Sequence, residues 1–142
     1  MIVSVRSGFG RSIPKQSRFI KEENKIMTNL PLTFDTQFEI PEGLSKIGLK
    51  AAKAIRAFAK KRGLSTGGCK TFYSPQEWRE RWEEYGENSE LIVVYDGGDL
   101  AQFFNESYEA YDQIDRMSKA LEQKGVYSEN IYNWCSGIYD NR

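Results

Sequence analysis

Five consecutive apolar residues, Leu91-Ile92-Val93-Val94-Tyr95, limit the possible folds more than any other stretch of this chain. The run is too short for a typical helix and too uniform for a strand with one wet face. It fits a central strand buried on both faces. Asp96-Gly97-Gly98-Asp99 is the turn that ends it, since Asp and Gly tolerate turn dihedrals.

The stretch "GLSKIGLKAAKAIRAFAKKRG" (43–63) gives the clearest helix. Leu44, Ile47, Ala51, Ile55 and Phe58 recur at spacings of three and four, which makes one apolar stripe. Lys46, Lys50, Lys53 and Lys60 fall on the opposite face. Gly63 supplies the left-handed stop, and Lys60, Lys61 and Arg62 complement the negative end of the helix dipole. A second helix is expected over 74–86, "SPQEWRERWEEYG". Ser74 is its N-cap, Pro75 its first residue and Glu77 the partner in a capping box. Trp78, Trp82 and Tyr85 share one face, with both tryptophans assigned to the core. Glu77–Arg81 and Arg79–Glu83 are expected i,i+4 pairs on the wet side. A single helical turn is expected over 100–105.

Residues 106–125 form a third long helix, with Ala110, Ile114, Met117 and Leu121 as its core stripe and Gly125 as its stop. Glu106, Glu109, Asp112 and Asp115 make an acidic band along it. Beside that band, Phe103, Phe104, Tyr108 and Tyr111 are the aromatic residues expected at the surface. "VYSENIYNWCSGIY" (126–139) alternates as a strand, or as a hairpin with 126–128. "LPLTFDTQFEIPEG" (30–43) reads as a short edge strand or an extended arm over the core, bounded by Pro31 and Pro41. "STGGCKTFY" (65–73) is a glycine turn leading into a strand.

The order predicts an α+β domain: a small three- to four-stranded sheet packed by two or three amphipathic helices. The chain from 91–95 through a helix to 131–139 is long enough for a crossover, so those two strands are expected to be parallel. At 142 residues the chain is one domain's worth, and 39% hydrophobic content is enough for one core. That domain is placed at 27–142. Residues 1–26 show no period and are expected to be disordered or a translated leader. Codons for Lys21-Glu22-Glu23 can spell a purine-rich ribosome-binding run, three codons ahead of Met27.

Formal net charge is zero, but the charges are separated along the chain. Residues 42–62 hold seven Lys/Arg against one acid, whereas residues 63–142 hold seven against fifteen. One basic helix on an acidic remainder suits polarised contact with a partner. No apolar run approaches the ~18 residues of a membrane span. Two cysteines are too few for a disulfide framework, so a reducing cytoplasm is the expected location.

The chain has no histidine, which removes histidine-dependent triads and His-ligated zinc. Asp96 and Asp99 offer oxygen ligands for Mg²⁺ or Ca²⁺, but no neighbouring acid motif completes a shell. A plain turn, with Asp99 capping the next helical turn, is the preferred reading. In "STGGCK", Gly67, Gly68 and Lys70 suggest an anion nest, or Lys70 activates Cys69; a tight turn with a buried cysteine is the simpler alternative. It is not a phosphate-binding loop of the GKS/T type. No catalytic residue, metal or cofactor is assigned.

"TGGCKTFYSPQEWRERWEEYG", "VVYDGGDLAQFFN" and "WCSGIY" resemble segments of small accessory proteins encoded by bacteriophages and prophages. The resemblance covers roughly residues 42–142. It implies a protein made in the cytoplasm of a bacterial host, of the kind that binds and blocks a host factor such as a CRISPR effector or other defence complex. A non-enzymatic inhibitor acting by protein–protein contact is therefore the leading expectation. Its partner would be a host protein or nucleoprotein complex, and its docking residues Lys46, Lys50, Lys53, Tyr108, Glu109, Tyr111 and Asp112. Two alternatives stay open. One is sequestration of a nucleotide signal by Gly67, Gly68, Lys70, Asp96 and Asp99. The other is nucleic-acid binding by the basic helix.

Overall fold

The computed structural model describes residues 33–65 and 69–141. The expectations for residues 1–26, for Pro31, Leu32 and for Gly67 and Gly68 lie outside that range. Among the described residues, four helices and four strands follow in order: α1 (Phe34–Gln37), α2 (Lys46–Arg62), β1 (Phe72–Tyr73), α3 (Pro75–Glu80), β2 (Leu91–Val94), α4 (Tyr111–Glu122), β3 (Val126–Tyr132) and β4 (Cys135–Asp140). Short 3-10 turns at Asp99–Phe103 and Glu106–Tyr108 join β2 to α4. The fold is α+β.

The sheet order is β1-β2-β4-β3, with every neighbouring pair antiparallel. β2 is thus interior, and all four of its residues are buried. Alternation sends Leu91 and Val93 into the main core, with Phe72, Ile55, Met117 and Leu121. Ile92 and Val94 face the other way, against Trp78 and Cys135. The unbroken apolar run is explained by two separate dry layers.

The expected parallel pairing of the 91–95 strand with 131–139 is not found. α4 delivers the chain to the far edge, where β3 forms. A tight turn at Asn133-Trp134 then folds β4 back between β3 and β2. Leu91 pairs with Ile138 and Val94 with Cys135, antiparallel. Because β2 and β3 are each antiparallel to β4, they run parallel to one another with β4 inserted between them. The crossover is real, but a hairpin fills its gap. The hairpin is a long one, with Val126 opposite Asp140 and a bulge between Asn130 and Tyr132.

α2 runs as its stripe requires. Ser45 caps it by accepting from Gly48 N, and Gly63 ends it at φ 66°. Ala51, Ala52, Ile55, Phe58 and Ala59 are buried, whereas Lys46, Lys50, Lys53 and Lys60 are exposed. α3 is shorter than its sequence pattern. The Ser74–Glu77 capping box and Pro75 start it as expected, but it stops at Glu80. Trp78 is buried and its Nε1 donates to the Tyr85 carbonyl at 2.8 Å, which pulls the following loop back over the ring. Trp82 leaves the helix at φ 63° and is 93% exposed, so its core assignment fails. The expected i,i+4 pairs are replaced: Glu77 pairs with Lys70 at 2.7 Å and Arg81 with Glu83 at 3.4 Å.

The 30–43 segment is not an edge strand. Thr33 caps a single helical turn, and Phe38 is wholly buried, 4.4 Å from the Phe34 ring and 5.9 Å from Phe72. It does lie as an arm over the core. The third long helix starts at Tyr111 rather than at residue 106, because Glu109 adopts φ 56° and breaks the helical path. Phe103 and Phe104 are buried, not exposed: Phe103 meets Phe58 edge-on at 5.2 Å, and Phe104 stacks on Tyr95. No helix among the described residues is long and apolar enough to cross a membrane.

Candidate functional site

The exposed face of α2 gains a second wall from the end of α4. Two adjoining hollows, of about 490 and 480 Å³, lie along this junction and share Lys50, Gln123 and Lys124. Lys46 stands at one end, and Lys53, Lys61 and Arg62 extend the rim towards the other. The surface between is apolar and small, with Ala54, Ala57 and Ala120 beside the edge of Phe58. Arg62 lies over the Phe58 ring at 3.7 Å, so its guanidinium is held by a cation–π contact. Among the described residues, Asp140, at the Lys46 end, is the one carboxylate lining either hollow.

Local sequence explains this arrangement. Lys46, Lys50 and Lys53 follow one another along a helix edge at spacings of four and three. Alanines at 54 and 57 keep the surface beside them low. Lys124 comes from the turn after α4, where a cation also complements the helix dipole. Among the described residues, no ion pair engages Lys46, Lys50, Lys53, Lys61 or Lys124.

The acidic and tyrosine candidates lie elsewhere on the surface. Tyr108 and Tyr111 are 50% and 62% exposed, and Glu109 and Asp112 are exposed beside them. Asn105 fixes this corner: its Nδ2 donates to the Asn133 carbonyl at 2.8 Å, and its Oδ1 accepts from Ser107 N at 2.9 Å. No ion pair among the described residues joins this patch to the α2 lysines. The basic and acidic surfaces therefore do not neutralise one another.

Of the ligand candidates in the two glycine turns, Lys70 and Asp99 have partners within the fold. Lys70 is committed to Glu77 and lies 4.6 Å from the centre of the Tyr73 ring. Burial disfavours the Glu77 carboxylate, but hydrogen bonds from Lys70 and Ser74 outweigh it and hold its pKa below the ordinary value. Asp99 does not cap its own helical turn. Its Oδ2 accepts from Ser65 N at 3.2 Å and Ser65 Oγ at 3.3 Å, tying the β2 turn to the chain after α2. Asp96 is exposed at φ 34°. Among the described residues, no group of three His, Cys, Asp or Glu is placed to hold a metal. Cys135 is buried, and that burial pushes its thiol up to about 12, far from a reactive thiolate.

Sequence reasoning named the α2 lysines but missed Lys61, Arg62, Lys124 and the alanine floor as parts of one site. Lys124 carried no local signal, because only the packing of α4 on α2 brings it there. It also missed Trp82 and Tyr85 as exposed aromatics, since helical periodicity placed them underneath. No family model, no curated protein and no solved structure matches the chain.

Proposed function

We propose that this chain is a non-enzymatic binding protein that docks on a larger protein or nucleoprotein complex through separated charged surfaces. In the phage setting suggested by its sequence resemblance, the complex is part of a bacterial host's defence machinery and docking blocks it. The observation that carries this reading is the row of exposed lysines on α2, unpaired by any acid among the described residues. Exposed charge of one sign speeds encounter with an opposite surface and sets its orientation. The tyrosines at 108 and 111 add residues of the kind that dominate interface energetics.

The nucleotide-sequestering alternative has less support. Lys70 and Asp99, two of the groups it needs, are spent on internal partners. The docking reading is tested by size-exclusion chromatography of the purified chain with purified host defence complexes. Co-elution is expected with one of them. Charge reversal by K46E/K50E/K53E, or by E109K/D112K, abolishes it with the unfolding midpoint unchanged. A triple lysine variant that still co-elutes and inhibits removes the reading.

A further inference from the structure

The groove between α2 and the end of α4 has a shape and chemistry of its own, beyond a general positive charge. From Lys46 to Lys61 is fifteen helical steps, or roughly 22 Å at 1.5 Å per residue. Its rim is cationic on both sides, with Lys46, Lys50, Lys53 and Lys61 from α2 and Lys124 from beyond α4. Its floor is methyl groups: Ala54 and Ala120 are half-buried, Ala57 is exposed, and Phe58 is only 9% exposed. Alanines let a third helix approach closely, at the 8–10 Å axial separation of packed helices.

We infer that this groove receives an acidic amphipathic helix of the protein partner. The inference rests on the docking function proposed above and names the element that is docked. An apolar stripe at i, i+3, i+4 and i+7 covers the alanine floor, and carboxylates flanking that stripe reach the lysine rims. Charge complementarity chooses this occupant, because among the described residues six cations face one carboxylate along the two hollows. The floor argues against single-stranded nucleic acid. It offers no open ring for a base to stack on, since Phe58 is nearly buried and carries Arg62 over its face. A second copy of this chain fits poorly. The acidic α4 already commits Met117 and Leu121 to its own core and presents a polar outer face.

Fluorescence anisotropy with the full chain tests this. The probe is a labelled helical peptide of about 16 residues, matching the groove at 1.5 Å per residue, with Leu and Ala along one stripe and Glu elsewhere. A scrambled peptide of identical composition and a thymidine oligonucleotide are the comparisons. The helical peptide is expected to bind. K50E/K124E weakens it at least tenfold, and so does A57W, which fills the floor without touching the core. All variants should unfold in the same single cooperative transition as the parent, which shows that lost binding is not lost folding. Equal binding of the scrambled peptide overturns the inference, because charge alone then suffices. Tighter binding of the oligonucleotide, weakening steeply with salt, overturns it in favour of phosphate recognition. No binding of any probe also overturns it. If the chain still co-elutes with a host complex in any of these cases, docking stands and only the helix-in-groove mode falls.

Discussion

Replacing Gly48 by alanine should destabilise this protein, against the ordinary rule for helices. In an exposed helix interior, Gly to Ala adds about 1 kcal/mol of stability. Gly48, however, lies in the first turn of α2, where the helix presses on the strand-entry segment. A Cβ there would sit well under 3.0 Å from the Glu90 carbonyl oxygen, and 3.3 Å from its carbon and from Ser45 Oγ. Neither side can yield cheaply. Glu90 N donates to the Ile138 carbonyl at 2.7 Å, one residue before β2 begins. Ser45 Oγ accepts from Gly48 N at 3.0 Å and donates to Glu90 Oε1 at 2.5 Å, so the cap itself is tied to the same residue. On the helix side, Ala51, Ala52 and Ile55 are fully buried. Overpacking against rigid backbone costs about 2–3 kcal/mol. Subtracting the propensity gain leaves a loss of about 1–2 kcal/mol, or a fall of about 5–10 °C in Tm. Urea unfolding followed by tryptophan fluorescence measures it, with the slope unchanged and the midpoint lowered. Ala57→Gly, at an exposed position of the same helix, calibrates the propensity effect at about 1 kcal/mol lost. If A57G shows that loss while G48A is as stable as the parent, the close seating of α2 on the Glu90 carbonyl is wrong.

Trp82→Gly should leave stability unchanged or raise it by up to about 1 kcal/mol, because it relieves a left-handed non-glycine residue with almost no buried surface. Trp78→Ala should cost about 3–5 kcal/mol, and urea midpoints that reverse this order would overturn the assignment of Trp78 as the anchor. At alkaline pH, burial pushes Tyr95 from its ordinary 10, and Cys135 from 9, up to about 12. The unfolded chain therefore releases these protons first, so the protonated groups' contribution is complete below pH 9 and is lost progressively up to about 12. Thermal melts across that window should show a continuous fall, and a Tm that stays level to pH ~11.5 would contradict the burial of Tyr95 and Cys135.

What the sequence made legible was whatever a local pattern determines. The stripe of α2, the Ser74–Glu77 capping box and the run at 91–95 each state a dihedral preference or a burial period within a dozen residues. The errors arose where distant packing overrides such preferences. Trp82 satisfies helical spacing with Trp78, yet the hydrogen bond from Trp78 to the Tyr85 carbonyl ends the helix first and turns Trp82 outward. Strand pairing failed for the same reason. The pattern at 126–139 reports alternation but not the turn at Asn133-Trp134, and that turn decides whether β4 meets β2 parallel or antiparallel.

The candidate site divides in the same way. Lys46, Lys50 and Lys53 were visible because one helix edge is a local property. The groove was not, because it needs Lys124 and Ala120 from an element more than sixty residues away in sequence. This division bears on function. A lysine row on a lone helix is what any solvated amphipathic helix displays, and alone it argues little for a partner. The same row facing a second cation across an apolar floor has lysines on both walls that form no ion pair among the described residues. Like charges brought together around a hydrophobic strip repel one another in the free protein. An acidic partner would relieve that repulsion and cover the strip in one step. On this argument, neutralising the rim with K50Q/K124Q should keep or slightly raise the free protein's stability while weakening docking. A docking surface is expected to separate these two effects, whereas a merely solvated face would change neither.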